Sequence, residues 1–259
     1  MTSVILLGHN GLGDYITYNG AINYLLTIYE HVYFICRDIT IKNLEIIYSN
    51  PRLFLVPFKN DNEKDGLRRL ILPRYRQRNM DILILGCWKD CFSSKIQNNI
   101  LKNRQKNLDY DTKYIHIKQF YDDMNLDLSI YYNFFNIDSS KKSLELYEKI
   151  KSFNIIFLHS TADYKKKINL TTYIDRFVND ENNIIISADY NIYNNEHDKY
   201  ELAQEYVNQL VPYYIDILKN AQYIYIVDSC FSCIVLPLSY RNELNAIEYK
   251  IFDRNSIVT

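Results

Sequence analysis

Three segments of this chain place small, acidic and basic residues where an apolar run ends. In the first, Val4-Ile5-Leu6-Leu7 leads into Gly8, Gly11, Gly13 and Asp14. Glycines let the backbone turn sharply and come close to a ligand, and a helix beginning there offers free N–H groups to an anion. Asp14 has two readings: its carboxylate caps those N–H groups, or it takes a proton from an acceptor hydroxyl as a general base. A dinucleotide site competes for the same turn, because a second strand and Asp38 follow in the order that holds an adenosine ribose. However, Gly11-Leu12-Gly13-Asp14-Tyr15-Ile16 has isoleucine where G-x-G-x-x-G needs its third glycine.

The second segment is His159-Ser160-Thr161-Ala162-Asp163-Tyr164-Lys165-Lys166-Lys167, directly after the run Ile155–Leu158. A hydroxyl followed four residues later by lysine suits a diphosphate. The hydroxyl donates a hydrogen bond and the ammonium neutralises charge on a leaving group. The plainer reading is a solvated basic loop, with His159 a satisfied interior residue. In the third segment, Tyr223-Ile224-Tyr225-Ile226-Val227 runs into Asp228-Ser229-Cys230-Phe231-Ser232-Cys233. Small hydroxyl residues at a helix N-terminus bind phosphate, or simply cap the helix. The C-x-x-C within it admits a thioredoxin-like dithiol or, joined by Cys87 and Cys91, a zinc site whose spacing is loose.

These segments need elements to hold them. Strand-type runs fall at Val4–Leu7, Val32–Cys36, Leu53–Val56, Ile82–Leu85, Ile155–Leu158, Ile184–Ser187, Tyr223–Val227 and Ile247–Ile251. Between them apolar residues recur three and four apart, as in Ile16–Ile28, Leu144–Ile150 and Leu202–Leu210, which predicts helices. The alternation means βαβ units and mostly parallel sheets. The pattern restarts after the polar stretch Asp138-Ser139-Ser140-Lys141-Lys142, so a domain boundary is expected near 139, with domains 1–139 and 140–259. Ligands bind beyond the carboxyl ends of strands in open α/β sheets, and two such places suggest a cleft built by two halves.

Bulk properties narrow the function. The net charge of -1 argues against a nucleic-acid binder, which carries a basic footprint. Arg68, Arg69, Arg74, Arg76 and Arg78 form a local basic cluster, read as a solvated face or an attractor for an anionic acceptor or membrane surface. The N-terminus lacks the regions of a signal peptide, and the apolar stretch at 223–238 is too short to span a bilayer. Five scattered cysteines, an odd number, read as reduced thiols. A cytoplasmic protein with no integral membrane segment is expected. Many of the 25 tyrosines are expected to sit half-exposed, ring packed and oxygen wet.

Taken together, the three segments resemble the heptosyltransferase type of GT-B glycosyltransferase. The carriers of the resemblance are Gly13-Asp14, then Thr161-x-x-x-Lys165, then Ala221-Gln222-Tyr223-Ile224-Tyr225-Ile226-Val227-Asp228-Ser229. Glu196, in Asn195-Glu196-His197, is a loose match to the family's ribose-binding acid. The chain departs from the family at Cys230, where glycine is usual, and at Cys233, where histidine is usual. The resemblance implies an α/β fold of two Rossmann-like domains facing a central cleft. It implies Asp14 as base, with Gly11, Gly13, Thr161, Lys165, Glu196, Asp228, Ser229 and Ser232 binding substrate or donor. The implied reaction moves a sugar from a nucleotide-sugar donor to a glycan or other hydroxyl acceptor, inverting and metal-independent. No cofactor is implied, the nucleotide-sugar being a co-substrate. Two alternatives stand beside it: an NAD(P)-dependent oxidoreductase or epimerase using Gly8–Gly13 and Asp38, and a non-catalytic nucleotide- or glycan-binding protein with the same fold.

Overall fold

The computed structural model describes residues 3–59, 80–86, 115–163 and 166–254. The chain packs as two compact units, Met1–Asn136 and Ile137–Thr259. In the first unit four parallel strands, β1 (Ser3–Leu7), β2 (His31–Arg37), β3 (Leu53–Phe58) and β4 (Met80–Ile84), lie in the order β3-β2-β1-β4. Val4 pairs with Val32 on one side and with Asp81 on the other, so β1 is a central strand. Its residues Val4–Leu7 are fully buried, as expected of a parallel strand covered on both faces. In the second unit β5 (Asn154–His159), β8 (Asn183–Ser187), β9 (Tyr223–Val227) and β10 (Glu248–Phe252) are again parallel, in the order β10-β9-β5-β8. A short antiparallel pair, β6 (Thr161–Asp163) and β7 (Lys166–Lys167), follows β5. All eight sheet strands expected from the apolar runs are present.

The helices depart from expectation in two places. The periodic stretch Ile16–Ile28 is not one helix but two, α1 (Leu12–Thr17) and α2 (Asn19–Ile28). The break has an identifiable cause. Tyr121, fully buried on α4 (Ile115–Asp123), inserts its hydroxyl into the helical ladder, accepting from Ala21 N–H at 3.1 Å and donating to the Thr17 carbonyl at 3.0 Å. Those two backbone groups would otherwise bond each other, and an inserted side chain is a recognised origin of a kink. The last helix of the first unit, α5 (Ser129–Asn133), runs close to α2: a Cβ on Gly20 would lie 2.6 Å from the Ile130 carbonyl. The second departure is Leu202–Leu210. Only α8 (Tyr200–Gln204) forms there, and Asn208 turns left-handed (φ 57°) to donate its N–H to the Ala188 carbonyl.

The polar stretch near 139 is the start of α6 (Lys141–Ile150). Ser140 accepts from Ser143 N–H, and the Ser139 and Ser143 hydroxyls both reach the buried Asp216 carboxylate at 2.6 Å. Asp216 lies on α9 (Ile215–Asn220), so the polar stretch at the expected boundary is tied into the second unit. Lys199, also buried, donates to the carbonyls of Asp180, Glu181 and Asn183, closing the turn before β8 onto the loop that follows it.

Seven tyrosines depart from the expectation of wet hydroxyls. Tyr15, Tyr18, Tyr121, Tyr131, Tyr206, Tyr214 and Tyr225 are among the largest fully buried side chains. Most of their oxygens serve the main chain: Tyr18 accepts from His9 N–H, Tyr15 from Arg37 N–H, and Tyr206 donates to the Leu146 carbonyl. Buried backbone groups need partners, and a tyrosine delivers one without adding charge. Replacing Tyr121 with phenylalanine removes the hydroxyl that bridges Ala21 N–H and Thr17 C=O while the ring still holds the two groups apart. It should lower the unfolding free energy by ~1–3 kcal/mol, whereas Tyr190→Phe at the exposed Tyr190 should change it by less than about 0.5 kcal/mol. Urea unfolding of the two variants checks this, and equal midpoints would refute the inserted-hydroxyl account.

Candidate functional site at the carboxyl ends of the strands

Both sheets change direction at their first strand. In the first unit the chain proceeds from β1 to β2 and β3 on one side, then returns to place β4 on the other. In the second it goes from β5 to β8, then crosses to β9 and β10. Ligand crevices of open α/β sheets lie at such switch points, beyond the strand ends. The turn after β1 and the segments after β5 and β9 all fall there.

In the first unit the turn from Gly8 to Asp14 is shaped by its own chain. A Cβ on Gly8 would come within 2.4 Å of the Tyr18 ring, whose hydroxyl accepts from His9 N–H at 2.8 Å. Gly8 is therefore glycine so that Tyr18 can close over the turn. Gly11 is the N-cap residue of α1, and its N–H donates to Asp14 Oδ2 at 3.1 Å. Asp14 is half-buried and in the capping geometry, with Gly11 too close for a Cβ, which would lie 2.8 Å from Oδ2. The Gly13 carbonyl accepts from the Thr17 hydroxyl. Ile16, at the third-glycine position, is fully buried, and Asp38 caps its own short helical turn through Ile39 N–H. At the exit of β4, Gly86 (φ 58°) donates to the buried Asp123 carboxylate at 2.7 Å and leaves room for the His9 ring, 2.2 Å from where its Cβ would stand.

The second unit gathers a tighter cluster. Asp189, two residues past β8, receives the N–H and hydroxyl of Ser160 and the N–H of Thr161 on Oδ2, at 2.6, 3.0 and 3.2 Å. Its other oxygen lies 3.3 Å from His159 Nε2. On the far side of that ring, Nδ1 is 3.1 Å from Ser229 Oγ. Ser229 and Ser232 are buried: Ser232 Oγ accepts from Ser229 N–H and lies 2.7 Å from Asp228 Oδ1. Asp228 Oδ2 is 3.4 Å from Arg254. α10 (Ser232–Tyr240) begins at this turn, and Phe231 packs edge-on against the His159 ring. Burial pushes the His159 pKa down, with the Asp189 carboxylate opposing.

The sequence-derived candidates separate under this geometry. Thr161 follows the end of β5, and Asp228, Ser229 and Ser232 follow the end of its neighbour β9. Glu196 does not: it sits exposed in a turn, its N–H held by Asn194. Lys165, the arginines from 68 to 78, Cys87 and Cys91 lie outside the described residues. Asp189 escaped the sequence reading although Ser187-Ala188-Asp189 follows the same rule as the other segments, an apolar strand ending in small and acidic residues. The thioredoxin-like reading is corrected. Burial beside Cys233 pushes the Cys230 thiol up to about 12, the opposite of a reactive thiolate, and the Cys233 thiol is spent on the Ser229 carbonyl. Cys36, Cys230 and Cys233 are not in disulfides. Among the described residues no three His, Cys, Asp or Glu side chains gather as metal ligands, and no helix is long and apolar enough to cross a membrane.

No family model matches this chain, and no curated protein does. Solved structures do match. The glycosyl transferase family 9 protein from Veillonella parvula shares 12% identity over 100% of this chain and 90% of its own, with a TM-score of 0.57. The ADP-heptose LPS heptosyltransferase II of E. coli shares 11% over 97% of this chain and 90% of its own, with a TM-score of 0.59. The chain has the α/β fold of the GT-B glycosyltransferases, as the three motifs imply.

The His159 environment makes stability depend on pH. The folded protein holds the imidazole below its ordinary 6.5, so the unfolded chain takes up the proton first as pH falls. Stability is undiminished by this group above 6.5 and drops as pH falls from there through the lower folded value, by at most about 1.4 kcal/mol per pH unit. His159→Gln should flatten that part of the profile. Urea midpoints measured at neutral and mildly acid pH test it, and parallel losses in both proteins would show that another group is responsible.

Proposed function

We propose that this chain is a cytoplasmic glycosyltransferase that moves a sugar from a nucleotide-sugar to a hydroxyl acceptor, inverting the anomeric carbon and needing no metal. The observation that carries the proposal is the placement of the three chemistry-bearing turns at the switch points of their sheets, in a fold shared with glycosyltransferases. The donor belongs to the second unit. Thr161, Ser229, Ser232 and the N-terminal turn of α10 take the diphosphate, with Lys165 supplying the positive charge that the leaving group requires. The Asp189 carboxylate is occupied by His159, Ser160 and Thr161, and Glu196, the loose match to the family's ribose-binding acid, sits exposed in its turn, so neither is assigned the nucleoside ribose. The acceptor belongs to the first unit, beside Gly11 and Gly13, where Asp14 takes the proton of the attacking hydroxyl. The heptosyltransferase of E. coli is an ADP-heptose enzyme, which makes ADP-sugars the first donors to try.

A second reading keeps the fold and the nucleotide but not the chemistry. It is favoured by one contact, the bond from Gly11 N–H to Asp14, which gives that carboxylate a structural task. Asp14→Asn separates the two. An asparagine oxygen still caps the helix, so folding is preserved to within a few tenths of a kcal/mol, while a lost base lowers turnover by about 10²–10⁴.

Thermal shift against UDP-, GDP-, ADP-, CMP- and dTDP-sugars, with NAD(H) and NADP(H) alongside, is the first measurement. One nucleotide-sugar should raise the melting temperature, and Lys165→Ala should remove the effect. Turnover of that donor, reduced in Asp14→Asn with donor binding intact, establishes the transferase. Equal turnover in the two proteins refutes Asp14 as base. A shift with nicotinamide cofactors alone refutes the proposal as a whole.

A further inference from the structure

Asp189, His159 and Ser229 form a line of side-chain contacts across the ends of β8, β5 and β9, at 3.3 and 3.1 Å. The protons along it are assigned by chemistry. A carboxylate only accepts, so His159 Nε2 carries the hydrogen that bonds Asp189 Oδ1. In the neutral ring Nδ1 is then a bare acceptor, and the Ser229 hydroxyl must point its hydrogen at it. In that state Ser229 Oγ turns lone pairs toward the start of α10, where it accepts the Phe231 N–H at 3.4 Å. A phosphate oxygen arriving there meets oxygen lone pairs, not a donor.

One proton reverses the line. With Nδ1 protonated, His159 donates to Ser229 Oγ, and the freed hydroxyl hydrogen turns outward to a phosphate oxygen. We propose that the second unit binds a nucleoside diphosphate together with one proton taken from solvent onto His159 Nδ1, with Asp189 as counter-charge and Ser229 as the relay. The proton is returned to solvent when the diphosphate leaves. This rests on the reading of the second unit as the donor side and adds to it a residue, His159, that positions the serine without contacting the ligand.

The surroundings leave the imidazole to carry this exchange. From the turn before α10 come Cys230, pushed up to about 12 by burial, and Cys233, bonded to the Ser229 carbonyl. From the turn before α9 comes Tyr214, raised by burial far above neutrality. From the end of β9 comes Asp228, held by Ser232 and Arg254. From β7, Lys167 lies over the ring of Tyr190, next to Asp189 in the chain. The neutral imidazole is the resting state because burial opposes its charge, and Asp189 is what makes the charged state reachable. An arriving dianion adds the missing favourable term.

The test is calorimetric titration of the whole chain with ADP, and with UDP in parallel, in two buffers of different ionisation heat. Wild-type protein should take up close to one proton per nucleotide, and affinity should fall by up to about tenfold per pH unit between about pH 7 and 8.5. His159→Gln keeps a hydrogen-bonding side chain with no proton to exchange. It should bind with no uptake and a flat pH profile, a difference that the ionisation of the nucleotide itself cannot produce. Binding without proton exchange in the wild type, or with the same slope in His159→Gln, overturns the relay while leaving the donor site standing. Failure of ADP, UDP and every other nucleoside diphosphate to bind at any pH overturns the donor site and the relay together. The two-buffer measurement on the wild type decides the matter even if the variant does not fold.

Discussion

Backbone polar groups left over where parallel strands end are the constraint on which this structure depends. Each strand exit strands N–H and C=O groups at the edge of a buried sheet, where an unpaired one is expensive. In the first unit the partners at the β1 and β2 exits are tyrosines. Tyr18 closes the β1 exit through His9 N–H, Tyr15 ties the β2 exit through Arg37 N–H, and Tyr121 occupies the break between α1 and α2. The glycines follow from this, since Gly8 and Gly20 leave room for Tyr18 and for the α5 backbone. Part of the abundance of tyrosine thus has a structural cause.

In the second unit the corresponding task falls to a carboxylate. Asp189 gathers the N–H groups of Ser160 and Thr161 at the β5 exit and orients His159, which in turn reaches Ser229 at the β9 exit. One residue after β8 therefore sets the geometry of both neighbouring loops. Charge replaces the neutral phenol here, and with it comes a titratable ring in contact with the helix N-terminus that a diphosphate would use. The same need for backbone partners is met by neutral phenols at the β1 and β2 exits and by a carboxylate with a titratable ring at the β5 and β9 exits.

Strands and helices differ in how far they could be read. A buried parallel strand is an unbroken apolar run with no competing period, so Val4–Leu7 and Ile184–Ser187 were plain. The helices at Ile16–Ile28 and Leu202–Leu210 carried the right period and still broke. Their breaks come from the Tyr121 hydroxyl, about a hundred residues away in sequence, and from the demand of the Ala188 carbonyl for an N–H. Glu196 was favoured for its motif position and lies exposed, while Asp189 obeyed the strand-end rule and went unnoticed. Local pattern marks where a strand ends but not which of two nearby acids faces the sheet.

By itself the sequence determined the sheet strands, the restart of the pattern near 139, and the small and acidic residues that stand at three strand ends. Those depend on apolar periodicity and on small residues at strand ends, which are local properties. Tertiary structure alone decided the strand order that makes β1 and β5 the switch points, the burial of the tyrosine hydroxyls, and the line from Asp189 through His159 to Ser229. Each of these joins groups far apart in the chain, and a hydrogen bond between distant residues leaves no periodicity behind to read.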